Sequence, residues 1–511
     1  MTSLDISTYL TFSTFHFNPL FDIIVDIINK GVFCLKISIG KGGQVEVLLV
    51  FKGAESLDKS PELYNYLLEK ELFKGICGEI YSDVSYKGEN KIILGLGEEK
   101  KLNLEGLRKA FYKLGKELMK LKVESAFVTV PKFENLCYKN TNLAISEGLL
   151  QSEYGFEKYI SEKKIKPTVK EFYLDILEDK KEKVEEAIEE ANIIVEGIFL
   201  ARDLVNEPAM YMTPKKLSSI AKEELEAVGV KVEIFGKEEI EKLGMKAFLA
   251  VAEGSDKEPQ FIVMTWNGDS ESDEKLALVG KGLTYDSGGY SLKPSTSMDT
   301  MFNDMAGSAS VIGAMKSIAL AKHKKNIVAI VAACENMISG GAYKPGDIIG
   351  SMSGKTIEIL NTDAEGRLTL ADALWYAATV VKADKIVDIA TLTGACVVAL
   401  GNVTTGAVTN NDELMADVKE ASVLAGEHVW QMPSYEEYKD GMKASFADLK
   451  NTATGGAGTI TAGLFLEEFV NDIPWVHLDI AGTAYIPAER GYLPKGATGI
   501  PVNTLYNLAK K

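Results

Sequence analysis

Histidine and cysteine are both scarce, and neither is arranged to hold a metal. The four histidines (His16, His323, His428, His477) lie far apart and form no HExxH or HxH pair. The five cysteines (Cys34, Cys77, Cys137, Cys334, Cys396) are odd in number and form no CxxC, so neither a disulfide framework nor a structural zinc knot is expected. The thiols read as reduced core residues of a cytoplasmic protein. Lysine and arginine are absent before Lys30, and Asp5 stands in that stretch; the basic start of a secretory signal is lacking. No run of about 18 apolar residues occurs, since even LFDIIVDII is split by Asp22 and Asp26, and no membrane span is expected. Positive charge is short as well. Lys and Arg total 56 against 73 Asp and Glu, a net charge of −17, a poor start for binding nucleic-acid phosphates or anionic lipid. A catalytic metal, if bound, must be held by carboxylates.

The 511 residues exceed what one core accommodates, so two domains are expected. The predicted fold class is α/β. A smaller N-terminal α/β scaffold or assembly domain covers residues 1–175, where FCLKISIGKGGQVEVLLVF reads as two strands around a Gly-rich turn. KIILGLG, LEGLRKAFYKLGKELMKL and SAFVTV then read as strand, helix and strand. Residues 176–205 form a linking helix, with Val184, Ile188, Ala191, Val195, Ile198 and Leu204 near helical spacing and Pro208 just beyond its end. Residues 206–511 form the larger domain. There PQFIVMTW, KLALVG, NIVAIVAA, TIEIL, KIVDIATL and VHLDIAG alternate with helical stretches, the pattern of a mostly parallel sheet covered by helices.

Ligands of such sheets sit beyond the carboxyl ends of strands, and polar clusters follow these runs. After KLALVG come Lys281, Asp286 and Lys293, and then Asp299 and Asp304; after TIEIL comes NTDAEGRL, with Asp363, Glu365 and Arg367. Four carboxylates gathered in one crevice repel unless cations lie among them. Divalent ions answer that, and oxygen donors suit Mn²⁺ or Mg²⁺ and are accepted by Zn²⁺. The glycines of Ser287-Gly288-Gly289 permit a close backbone approach. Asp299 reads as a helix N-cap. Lys281, at the end of a predicted strand, reads by default as a solvated ammonium, and Lys293 as a substrate partner or a surface charge. GGAG at 455–458 lacks the GK[ST] ending of a phosphate loop and reads as a turn into a helix.

GKGLTYDSGGYSLKP and NTDAEGRLTLADAL resemble the two signature segments of the leucyl (cytosol) aminopeptidases, a family of dinuclear metallopeptidases. The likeness continues through DLVNEPAMYMTP, MFNDMAGSASV, ATLTGACVVALG, LDIAGTAY and KGATGIPV. The resemblance implies that Lys281, Asp286, Asp304 and Glu365 hold a tighter metal, and that Asp286, Asp363 and Glu365 hold a looser one, helped by the Asp363 carbonyl. It makes Lys293 and Arg367 catalytic, and it lines the side-chain pocket with Met301, Thr391, Leu392, Gly394 and Ala481. The implied cofactors are two divalent ions per subunit, Mn²⁺ or Zn²⁺, with Mg²⁺ or Co²⁺ as further candidates at the looser site, and a bicarbonate near Arg367. The implied activity is hydrolysis of unblocked N-terminal residues, leucine and other mainly apolar ones, by a metal-bridging hydroxide. The implied assembly is a cytoplasmic homohexamer acting on peptides with a free N-terminus in intracellular peptide turnover. A narrower Cys-Gly dipeptidase and a secondary DNA-binding role are the alternatives, the latter opposed by the acidic charge. Phe302 and Asn303 replace a basic residue usual in the family, and Tyr285 and Tyr290 replace Phe and an aliphatic residue; these bear on pocket shape, not on the chemistry.

Overall fold

A computed structural model of the protein describes residues 33–53, 61–84, 90–162 and 168–511. The readings made on His16, on the first 15 residues and on LFDIIVDII lie outside the described residues. No helix among the described residues is long and apolar enough to cross a membrane.

The first sheet has six strands, in the order Lys36–Ile39, Glu171–Asp175, Ser125–Thr129, Val45–Val50, Lys91–Gly95 and Ile80–Asp83. All neighbours run parallel except the last pair. The two strands expected around the Gly-rich turn both form, but two others separate them. Parallel neighbours cannot be joined by a tight turn. The turn instead crosses Ala126, whose backbone would stand 3.1 Å from a Cβ at Gly43.

The helix Lys181–Asn206 ends at Glu207, one residue before Pro208. Its Val184, Ala191 and Val195 pack in the first sheet's core, and its Ile194, Ile198, Ala201, Leu204 and Val205 in the second's. It meets the Ala306–Leu320 helix backbone to backbone, since a Cβ at Gly197 would lie 2.4 Å from Gly313 O.

The second sheet has eight strands, in the order His428–Gln431, Thr404–Thr409, Trp475–Asp479, Lys385–Ala390, Lys275–Asp286, Asn326–Asn336, Gln260–Asn267 and Lys231–Phe235. Its four central strands, from Trp475–Asp479 to Asn326–Asn336, are mutually parallel. Their side chains alternate between two cores. Leu276 and Leu278 enter one, and Ala277 and Val279 the other, as expected of strands buried on both faces.

Four expectations change. Only Cys334 and Cys396 are core thiols, while Cys34 and Cys137 are exposed and Cys77 is half-buried. The run TIEIL does not join the second sheet: Thr356–Glu358 pairs with Ile348–Gly350 and Leu449–Lys450 in a small three-stranded sheet. The KLALVG strand continues to Asp286, so Lys281 lies mid-strand and only 3% exposed rather than solvated at a strand end. The extension holds because Asn326–Asn336 accompanies it in parallel register as far as Asn336 opposite Asp286. Asp299 closes the C-terminal end of the short Ser295–Met298 helix and caps no N-terminus. The glycines at 455–458 do turn into a helix, with Gly455 and Gly456 at φ 101° and 94° before Gly458–Glu467.

Candidate metal centre

The carboxyl ends of the parallel strands bring the polar clusters together. Asp286 ends its strand, and a turn through Gly288 (φ 86°) and Gly289 (φ 62°) follows. A Cβ at Gly288 would stand 2.8 Å from Asp363 Oδ1, so only glycine allows this approach. Thr362 laces this turn to the NTDAEGR loop. Its hydroxyl donates to Gly288 O at 2.6 Å and accepts from Ser291 N at 2.7 Å, and its own N–H donates to Ser291 Oγ at 3.1 Å. Glu365 is the N-cap residue of the Gly366–Tyr376 helix. Gly366 is glycine for space, since a Cβ there would lie 2.5 Å from Lys281 Cε.

One carboxylate oxygen from each of Asp286, Asp363 and Glu365 can be chosen so that all lie within 4.8 Å of one another. Asp304 joins them through Lys281, whose Nζ lies 2.8 Å from Asp304 Oδ2 and 2.9 Å from Glu365 Oε1 and donates to Thr391 O at 3.0 Å. Lys293 Nζ lies 2.8 Å from Asp286 Oδ2 and 2.6 Å from Asp363 Oδ1. Arg367 is buried beside this group and donates from Nη1 to Asn451 O at 2.8 Å. Among the described residues no ion pair within 4.0 Å links it to Asp363 or Glu365. Of the expected pocket residues, Met301 opens the turn that leads to Asp304. Thr391 donates to Asp304 Oδ1 at 2.8 Å, and Leu392 and Ala481 both donate N–H groups to Asp479 Oδ1. Gly394 starts the Gly394–Leu400 helix beside them.

The electrostatics follow from burial. Desolvation, then Glu365 and Asp304, push Asp286 up to about 8. Desolvation also raises Asp304, to about 6, against the pull of Lys281. Burial works to raise Glu365 too, but Lys281 and Lys293 outweigh it and hold its carboxyl below the usual range. Burial alone would lower Lys281, yet Asp304, Glu365 and Asp286 prevail and raise it. Desolvation brings Arg367 down to about 10.

The cytosol aminopeptidase family's catalytic-domain model matches residues 199–506, and its N-terminal-domain model matches residues 43–163. The chain belongs to the cytosol aminopeptidase family. It is 64% identical over 476 residues to a probable cytosol aminopeptidase of Clostridium tetani, covering 93% of this chain and 99% of the relative. It is 51% identical over 479 residues to one of Treponema denticola, covering 93% and 100%. Among solved structures, a tomato leucine aminopeptidase mutant superposes with a TM-score of 0.83 at 32% identity, covering 93% of this chain and 96% of that one. The bottromycin maturation enzyme BotP in complex with Mn superposes with a TM-score of 0.83 at 29% identity, covering 92% and 99%. As a member of that family the chain is a hydrolase of peptide bonds, of a metal-dependent kind.

The donor set fits such ions. It is rich in oxygen, and Glu365 Oε2 is buried with no hydrogen-bond partner, a costly state unless a cation faces it. Sequence reasoning missed the residues that aim these groups. Asn336 donates to Asp286 Oδ1 at 2.8 Å and to Thr362 O at 3.0 Å, and Tyr343 donates to Thr362 O at 2.8 Å. Asn336 and Asp479 end parallel strands, and the strand-end rule could have found both. No pattern marked Asn451.

Proposed function

We propose that this aminopeptidase removes unblocked N-terminal residues, leucine and other mainly apolar ones, at the centre built on Asp286, Asp363 and Glu365. The convergence of these three carboxylates within 4.8 Å is the observation that carries the reading. Lys281, Asp286, Asp304 and Glu365 would hold the tighter ion. Asp286, Asp363 and Glu365, with the Asp363 carbonyl, would hold the exchangeable one. Mn²⁺ or Zn²⁺ suits both, and Mg²⁺ or Co²⁺ the looser; the manganese complex of the bottromycin maturation enzyme supports the first. Bound there, such ions supply Lewis acidity that polarises the scissile carbonyl and acidifies water.

The chain's own groups do the rest. The substrate's free α-amine would be taken up at the looser site that Asp286, Asp363 and Glu365 would hold, and an N-acetyl group would abolish that uptake. Lys293, held between Asp286 and Asp363, offers an ammonium to the oxyanion that develops on the scissile carbonyl. Arg367 is the second residue of its helix, so an anion such as bicarbonate held there meets a guanidinium and unpaired backbone N–H groups. Arg367 and these N–H groups would hold such an anion, and general-base chemistry is what it would supply there. Met301, Thr391, Leu392, Gly394 and Ala481 would shape the pocket for the departing residue's side chain. The family also supports a cytoplasmic homohexamer, and light scattering showing an active 55.7 kDa monomer would contradict it.

Arg367→Ala tests the reading. Loss of an anion holder should lower kcat by about 10²–10³, roughly 3–4 kcal/mol, with both metals and the melting temperature retained. Near-normal turnover, or metal loss in step with activity, would overturn it.

A further inference from the structure

We infer that Asp479 is a positioning residue that sets side-chain selectivity by bracing the pocket wall. The inference rests on the reading that Leu392 and Ala481 line that pocket. Asp479 ends the Trp475–Asp479 strand, is fully buried and forms no ion pair within 4.0 Å among the described residues. Three of the four hydrogen bonds to its carboxylate come from backbone N–H groups, two of them from the pocket residues Leu392 and Ala481. Oδ1 accepts from Leu392 N at 3.2 Å, Thr393 N at 3.4 Å and Ala481 N at 3.1 Å, while Oδ2 accepts from Thr393 Oγ1 at 2.6 Å. Two segments nearly ninety residues apart in the chain are thus fastened to one side chain.

The geometry suits a specificity device more than a plain turn cap. Thr393 is the N-cap of Gly394–Leu400, its hydroxyl accepting from Cys396 N at 3.1 Å. At the other end of that helix a Cβ at Gly482 would meet Gly401 O at 2.1 Å, so Ala481-Gly482 lies directly against it. Thr391, one residue before Leu392, is fastened to Asp304 and Lys281. The wall is therefore registered to the metal centre at Thr391 and to the sheet at Asp479. Charge-assisted bonds of this kind are about twice as strong as neutral ones, and losing them lets the wall relax while the carboxylate centre keeps its own supports in Asn336 and Thr362.

The test compares leucine and alanine p-nitroanilides on the manganese-loaded full chain, with metal stoichiometry and melting temperature measured on the same samples. Asp479→Ala should cut the leucine-to-alanine ratio of kcat/KM about tenfold, mostly through KM for leucine, with metal stoichiometry unchanged. Asp479→Asn keeps one acceptor oxygen for the three N–H groups and should fall between wild type and Asp479→Ala; if Asp479→Ala does not fold, this variant carries the test. A ratio within twofold of wild type in the folded variants, whatever the melting temperature, would overturn the role. Leu392→Ala separates the two readings. If it shifts the ratio while Asp479 variants do not, the bracing role alone fails; if it too leaves the ratio unchanged, the pocket assignment fails.

Discussion

Lys281 makes two demands that conflict until protons are counted. It is buried as an ammonium among Asp304, Glu365 and Thr391 O, yet it can ligate a metal only as a neutral amine. On the proposed assignment of Lys281 as a ligand, metal binding expels its proton. Asp286, at about 8, holds a proton over much of the neutral range as well. A cation entering below pH 8 displaces both, so affinity should rise from pH 6 to pH 8, by about tenfold per pH unit for each proton released. Calorimetric titration of metal-free protein in buffers of different ionisation enthalpy reads that release directly; a pH-independent affinity would exclude it. Lys281→Arg sharpens the point. A guanidinium keeps the charge and the ion pairs but does not lose its proton. The variant should fold, lose the tighter metal and lose activity. Unchanged metal content would return Lys281 to a purely electrostatic role.

At the scale of elements, the Gly366–Tyr376 helix shows function overriding propensity. Glycine in a helix costs about 1 kcal/mol relative to alanine, yet Gly366 makes room for Lys281 Cε and Nζ, which would lie 2.5 and 2.6 Å from a Cβ. Lys281 cannot simply swing aside, because its three acceptors hold it. Gly366→Ala should thus lower the metal-free melting temperature, since the clash with the pinned Lys281 outweighs a propensity gain of at most about 1 kcal/mol, and should also weaken metal binding at Lys281; thermal melts with and without Mn²⁺ measure both. A variant that binds metal normally would show that the neighbourhood gives way freely. The same region marks what the sequence disclosed. NTDAEGRL and DSGG announced their acids and glycines through spacing and resemblance, and the apolar runs announced the parallel strands. Strand lengths stayed hidden, because Lys281 and Asp286 interrupt the apolar pattern although the ladder continues through them. TIEIL has the composition of a core strand, and only tertiary pairing sends it to a separate sheet. Asn336 and Asp479 act through polar contacts across 26 to 87 residues of chain, a relation no local period encodes.

Across the whole molecule, the two sheets are joined by a buried polar seam as well as by a helix. Arg108 and Glu147, on two helices of the N-terminal part, form a buried ion pair through Nε and Oε2. Each also reaches the catalytic part: Arg108 Nη2 donates to Leu424 O at 2.7 Å, and Asn503 Nδ2 donates to Glu147 Oε1 at 3.0 Å. Arg202 repeats the arrangement, donating to Thr498 O at 2.9 Å and to Gln151 Oε1 at 2.7 Å. Removing one member of such a pair strands the other charge and costs about 3–5 kcal/mol. Burial already raises the Glu147 carboxyl, against the pull of Arg108; without Arg108 it rises further. A carboxyl raised in the folded state lowers stability as pH climbs above its unfolded value of about 4.3, because the unfolded chain then holds fewer protons. The stability deficit of Arg108→Ala should accordingly be larger at pH 8 than at pH 5, where Glu147 can keep its proton. Scanning calorimetry in the presence of a chelator, so that metal loading does not vary with pH, measures the two deficits. Adding Glu147→Gln removes the stranded charge and should recover most of the loss at pH 8 while leaving pH 5 nearly unchanged. A deficit of equal size at both pH values, or no recovery in the double variant, would mean that the seam holds the two parts by packing and not by charge.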